Sequence, residues 1–203
     1  MKKLIFLALI FPLWINAVTI NFENLTSGTL VTNQYQSQGV IFSSNYYYPV
    51  HDGKIGDVRI PDYGVYDFGG AGPMSLCYGG VGSILGIKFV LANGTNAITN
   101  SVQFRIGDGD SASETFRVSF FDVNNILLSQ NTYTTYSGSV NGGVTLSFTN
   151  PNIHRIEIAG TGSGSGGSID DLIFNTTQAI PEPGTCLLLL IGLAVYLKSL
   201  SKR

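Results

Sequence analysis

The chain has 203 residues, a formal net charge of −2 and only two cysteines. Between Val18 and Ala179 it carries six Lys/Arg against twelve Asp/Glu, so the near-neutral total hides an acidic middle between two basic ends. That balance disfavours nucleic-acid and anionic-lipid partners and suits an exported protein or a divalent cation.

Lys2 and Lys3 precede an apolar run over residues 4–15, and Asn16-Ala17 comes next. A charged start, a short apolar stretch and a small residue at its end form a secretory signal peptide over 1–17, cut after Ala17. Trp14 leaves with it, so the mature chain has no tryptophan. The segment 18–177 is one domain by length and can bury a core without disulfides. Cys186 lies in a later apolar run, which leaves Cys77 alone and predicts a buried thiol that behaves as a small hydrophobe.

The domain reads as strands. Val102, Phe104 and Ile106 alternate with Gln103 and Arg105. Phe116/Val118/Phe120, Val144/Leu146/Phe148 and Ile156/Ile158 repeat the pattern. Period-two alternation marks antiparallel strands with one face in the core and one in water. Gly107-Asp108-Gly109-Asp110, Asn124-Asn125, Asn141-Gly142-Gly143 and Asn150-Pro151 read as turns between them. The Gly/Ser run over 160–167 reads as a flexible connection to the last strand. No amphipathic helix interrupts the series. The expectation is an all-β, jelly-roll-like antiparallel β-sandwich, chosen over a meander because the connections between Ser43 and Ile84 are long and irregular. The first segment (18–25) and the last (168–174) are expected to be neighbours.

Three sets of residues carry candidate chemistry. Asp108, Asp110 and Glu114 lie on a Gly/Ser loop and could gather oxygen ligands around a structural Ca²⁺, although Ala112 and Ser119 exclude an EF-hand. Glu23, Asp170 and Asp171 form a second candidate Ca²⁺ set if the terminal strands pair. Tyr46, Tyr47, Tyr48, His51, Asp52, Tyr63 and Tyr66, with Asp62 and Asp67 beside them, place aromatic faces and hydrogen-bonding groups on loops, the chemistry that holds sugar rings. No nucleophile elbow, zinc-protease helix or phosphate-binding loop occurs. Carboxylate pairs leave glycoside hydrolysis open.

The end of the chain has three parts in order: Pro181-Glu182-Pro183, an apolar run from Cys186 to Leu197, and Lys198, Lys202 and Arg203. Two prolines so close mark a helix edge. The run can satisfy its own backbone in lipid, and the cations hold it on the cytoplasmic side. The 14 residues of 184–197 give about 21 Å of helix, short of a hydrocarbon core about 30 Å thick. Residues 178–184 read as the linker and 185–203 as the transmembrane helix with its basic tail. This layout resembles the PEP-CTERM sorting signal of Gram-negative bacteria that make exopolysaccharide. The resemblance implies processing by a membrane exosortase near the Pro-Glu-Pro motif. It also implies a transient stay in the inner membrane and release to the cell surface or extracellular matrix; a plain, uncut anchor is the alternative. The segments 20–42 and 169–172 also resemble the opening and closing of domains carried ahead of such signals. That implies a jelly-roll related to galactose- and carbohydrate-binding modules, which commonly hold a structural Ca²⁺ near their ends. The expected function is that of a non-enzymatic surface or matrix protein binding polysaccharide. A secreted hydrolase or lyase acting on matrix polysaccharide is the rival.

Overall fold

The computed structural model describes residues 16–25, 29–44, 76–78, 84–107, 114–135, 143–161 and 167–180, with Leu197 and Leu200 in the tail. Its strands, in chain order, are β1 (Ala17–Ile20), β2 (Val40–Ser44), β3 (Leu76–Tyr78), β4 (Ile84–Phe89), β5 (Ala97–Gly107) and β6 (Thr115–Phe121). The second half adds β7 (Leu127–Thr134), β8 (Val144–Ile153), β9 (Arg155–Gly160), β10 (Gly167–Asn175) and β11 (Gln178–Ala179).

Alternation does what the sequence leads one to expect. In β4 buried and part-exposed residues strictly alternate, and Val102, Phe104 and Ile106 of β5 are buried while Gln103 is exposed. Two antiparallel sheets result, and they pack as a jelly-roll-like β-sandwich. The five-stranded sheet runs β2-β4-β9-β6-β7. The six-stranded sheet is centred on β5, with β8 on one side and β10 continued by β11 on the other. β1 and β3 both line the far edge of β10. The terminal strands are therefore neighbours, as expected, with Ala17 opposite Asn175 and Ile20 opposite Leu172.

The core lies between the sheets. Phe89 meets Phe174 at 5.1 Å between centroids, and Phe120 stacks on Phe148 at 4.2 Å, so aromatic pairs join one sheet to the other. Phe22, Tyr35 and Phe42 close one side with edge-on contacts at 5.7–6.2 Å. Each such ring contributes about 1.5–3 kcal/mol through burial. Burial also raises the Tyr35 hydroxyl to about 12, with the Glu23 charge adding to the shift. That hydroxyl donates to Asn24 Oδ1 at 2.6 Å.

Three local findings differ from the sequence reading. Asn150-Pro151 is no turn but lies within β8, where the register against β5 slips between Thr99 and Ser101. Among the described residues β8 pairs only with β5, and an edge strand with a bulge tolerates a residue lacking an N–H. The Asn150 side chain accepts the Asn152 N–H at 3.0 Å inside that bulge. Gln178–Ala179, expected as linker, pair with Ile98 and Ala97, so the sheet runs two residues past the expected boundary. Finally, β10 bulges between Asp170 and Ile173, with Asp171 at φ 48°. The extra residue resets the alternation, so Ile169 and then Leu172 and Phe174 all face the core.

Strand direction sorts the connections. The strand ends Ser44, Tyr78, Ile84, Gly107, Thr115, Thr134, Val144, Gly160 and Gly167 all lie at one end of the sandwich. Asn16 and Ile180 leave from the opposite end, where the Thr176 N–H and hydroxyl both donate to the Asn16 carbonyl. Among the described residues no helix is long and apolar enough to cross a membrane. Residues 1–15 and, apart from Leu197, the run 184–197 lie outside them.

Candidate functional site

The outward positions of the five-stranded sheet form a platform of three rows across the strands. The middle row is Ser43, Gly86, Glu157, Ser119 and Gln130. It is low because three of its five residues are small. Ser43 Oγ lies over Gly86, 2.5 Å from where a Cβ would stand, so the Ser43 hydroxyl fills the space that the glycine leaves. Ser119 is only 4% exposed, and Gln130 Nε2 donates to its hydroxyl at 2.8 Å.

One neighbouring row is Ile41, Lys88, Arg155, Phe121 and Leu127. The Arg155 guanidinium lies 4.1 Å over the Phe121 ring, a stacked cation–π arrangement that suits arginine. Its Nη1 donates to Glu157 and its Nη2 to Asn125 Oδ1 at 3.2 Å. Asn125 is set by the β6–β7 turn, where it adopts φ 61°. Asp122 Oδ1 fixes that turn by accepting the Asn124 and Ile126 N–H groups, both at 2.8 Å. Arg155 is thus held on three sides. The third row is Ile84, Ala159, Arg117 and Thr132, with Arg117 exposed. Among the described residues Lys88 and Arg117 have no carboxylate at ion-pair distance, whereas Arg155 has Glu157.

His154 anchors the base of this platform from inside. Its N–H donates to Phe121 and its carbonyl accepts from Phe89, each at 2.9 Å. Its buried Nδ1 contacts the Ala97 carbonyl at 2.6 Å. Burial pushes the imidazole below its ordinary range; the Ala97 bond opposes this, Lys88 and Arg155 add to it, and Asp122 opposes it again.

The residues singled out in the sequence fare differently. Tyr46, Tyr47, Tyr48, His51, Asp52, Tyr63 and Tyr66 lie outside the described residues, as do Asp108, Asp110, Pro181, Glu182 and Pro183. Cys77 sits on β3 opposite Ser168. Glu114 is buried at a strand end, its backbone fastened to Thr135 by bonds of 2.8 and 3.1 Å. Glu23 is exposed, Asp170 is 1% exposed, and the Asp171 N–H donates to Asp170 Oδ1 at 2.7 Å. Among the described residues no three His, Cys, Asp or Glu side chains are grouped to hold a metal ion. The terminal strands pair, and the Asp170 carboxylate accepts from the backbone of the bulge beside it.

No family model matches the chain, and no curated protein matches it. Among solved structures, a pectin-binding carbohydrate-binding module is 13% identical over 71% of this chain and 96% of its own, with a TM-score of 0.42. A family 35 carbohydrate-binding module from Clostridium thermocellum is 15% identical over 78% and 97%, at 0.38. The K2 cleaved adhesin domain of Lys-gingipain is 11% identical over 78% and 97%, at 0.39. Likeness at this level transfers no residue and no ligand to this chain.

The sequence reading passed over Lys88, Arg117 and Arg155. Each sits at an outward position between buried neighbours, Ile87/Phe89, Phe116/Val118 and His154/Ile156. That local signal was available. Their convergence was not, because it depends on β4, β9 and β6 lying side by side.

Proposed function

We propose that this chain is an exported, non-enzymatic β-sandwich protein that binds polysaccharide on the outer face of its five-stranded sheet. The observation that carries the reading is the low polar row Ser43-Gly86-Glu157-Ser119-Gln130, flanked by Arg155 stacked on Phe121. Hydroxyl-rich chains are held by placed donors and acceptors beside aromatic surface. Glycoside hydrolysis by the common route needs two facing carboxyl groups. On this face Glu157 is the one carboxylate among the described residues, and it is paired with Arg155.

Export and sorting rest on the sequence. In this reading the segment 1–17 directs export, and the run after residue 184 holds the chain in the inner membrane. An exosortase then acts at Pro181-Glu182-Pro183, and the domain reaches the cell surface or matrix. That Asn16 and Ile180 leave from one end supports the arrangement, since a sandwich tethered there points its opposite end outward. In a host with the matching exosortase, Glu182→Gln should accumulate at anchored length.

The binding reading is tested by titrating the full chain, in detergent, with a panel of polysaccharides beside an assay for new reducing ends. Binding without new ends is expected. Turnover abolished by a single carboxylate substitution would make the protein a hydrolase or lyase instead.

A further inference from the structure

We infer that the polysaccharide held on this face is a carboxylated one, a chain of uronic acids. The inference rests on the polysaccharide reading and names its ligand class.

Charge is sorted within the domain. The described Lys and Arg of the sandwich are Lys88, Arg105, Arg117 and Arg155, and three of these four stand on the outer face of the five-stranded sheet. The described acids are Glu23, Glu114, Asp122, Glu157, Asp170 and Asp171, and of these only Glu157 is on the platform. Among the described residues the cations thus gather on this face. Such a cluster draws a polyanion to this side and helps to orient it.

The arrangement fits a linear chain lying across the strands. Five strands span about 19 Å between the outermost axes, at about 4.8 Å per spacing. Arg117 borders the middle row on one side, and Lys88 and Arg155 border it on the other. Four residues along a strand separate the two borders, about 13 Å. In an extended β-1,4-linked ribbon successive carboxylates project to opposite sides, so both borders would meet negative charge. Arg117 is exposed, and its planar fork matches a carboxylate. Glu157 would oppose such a ligand, but its pairing with Arg155 blunts its charge. Leu127, 50% exposed at the sheet edge, extends the Phe121 surface against which ring faces can rest.

The test compares polymannuronate with β-1,4-mannan, which differ at the carboxylate, on the full chain in detergent. Polymannuronate should bind tightly at about 0.1 M salt and weakly at about 1 M, where the screening length falls from about 10 to about 3 Å. The Lys88→Gln/Arg117→Gln double variant should lose about tenfold or more in affinity, a loss of about 1.4 kcal/mol, with an unaltered melting curve. Should the double variant fold poorly, the single variants decide: Arg117→Lys should retain affinity that Arg117→Gln loses. Mannan bound as tightly as polymannuronate would overturn the charge inference and leave the polysaccharide reading standing. Binding of neither would sink both. Equal affinity for duplex DNA or phosphatidylglycerol vesicles would show a general polyanion surface and overturn the assignment to uronates.

Discussion

The two sheets carry charge on their outer faces in opposite ways. On the six-stranded sheet Arg105 stands directly across from Asp170, and Ser147 donates to Gln103 at 3.3 Å one row away. Asp170 is 1% and Ser168 3% exposed although Ile169 between them faces the core, so that part of the outer face is covered. On the five-stranded sheet Arg117 is exposed and Lys88 half-buried, and neither meets a carboxylate among the described residues. A buried charge that faces its opposite belongs to the architecture. An exposed charge without one costs little to keep and stays free for a partner.

Stability measurements should separate the two faces. Asp170→Ala removes a buried acid opposite Arg105 and the acceptor of the Asp171 N–H. A loss of about 1–3 kcal/mol in urea unfolding is expected, because the bulge N–H is left without its acceptor, whereas Arg117→Ala should stay within about 0.5 kcal/mol. Equal small losses would break the comparison. Next in size is the β10 bulge. Asp171 sits at φ 48°, so Asp171→Val should cost about 1–2 kcal/mol. Asp171→Asn should cost little, because Asn tolerates the left-handed region; thermal melts of the two variants check this.

The smallest effect is the pH dependence of His154, which lies beneath the cationic face. Its folded-state pKa is lowered, chiefly by burial, so the unfolded chain takes up the proton first. Stability should therefore be unaffected above the ordinary imidazole pKa of about 6.5 and fall as pH drops through it. His154→Gln should flatten that part of the melting-temperature profile. Lys88 and Arg155 contribute to the lowering, so a carboxylated ligand on the platform should raise the His154 pKa in an NMR titration.

Much of the fold was legible because strand alternation is local. Phe104, Phe116, Val118, Ile156 and Ile158 are buried where period two places them, and the pairing of 17–20 with 172–175 agrees with the apolar ends of the domain. Pro151 misled because proline marks a turn and a bulged edge strand alike. The local part of Asp170-Asp171 was not legible either: the first accepts from the backbone of the bulge that the second occupies. The platform was not legible: Lys88, Arg117 and Arg155 come from strands distant in sequence, and only the order β4-β9-β6 assembles them.

The central claim is that this platform is the ligand-binding face, and covalent footprinting tests it most directly. Lys88 would be acetylated, and Arg117 labelled with phenylglyoxal, in the full chain with and without saturating polymannuronate, and read by peptide mass spectrometry. The account predicts that both residues become several-fold slower to label in the complex while carboxyl labelling of exposed Glu23, away from the platform, keeps its rate. Unchanged labelling of Lys88 and Arg117 in a chain shown to have bound the polysaccharide would contradict it.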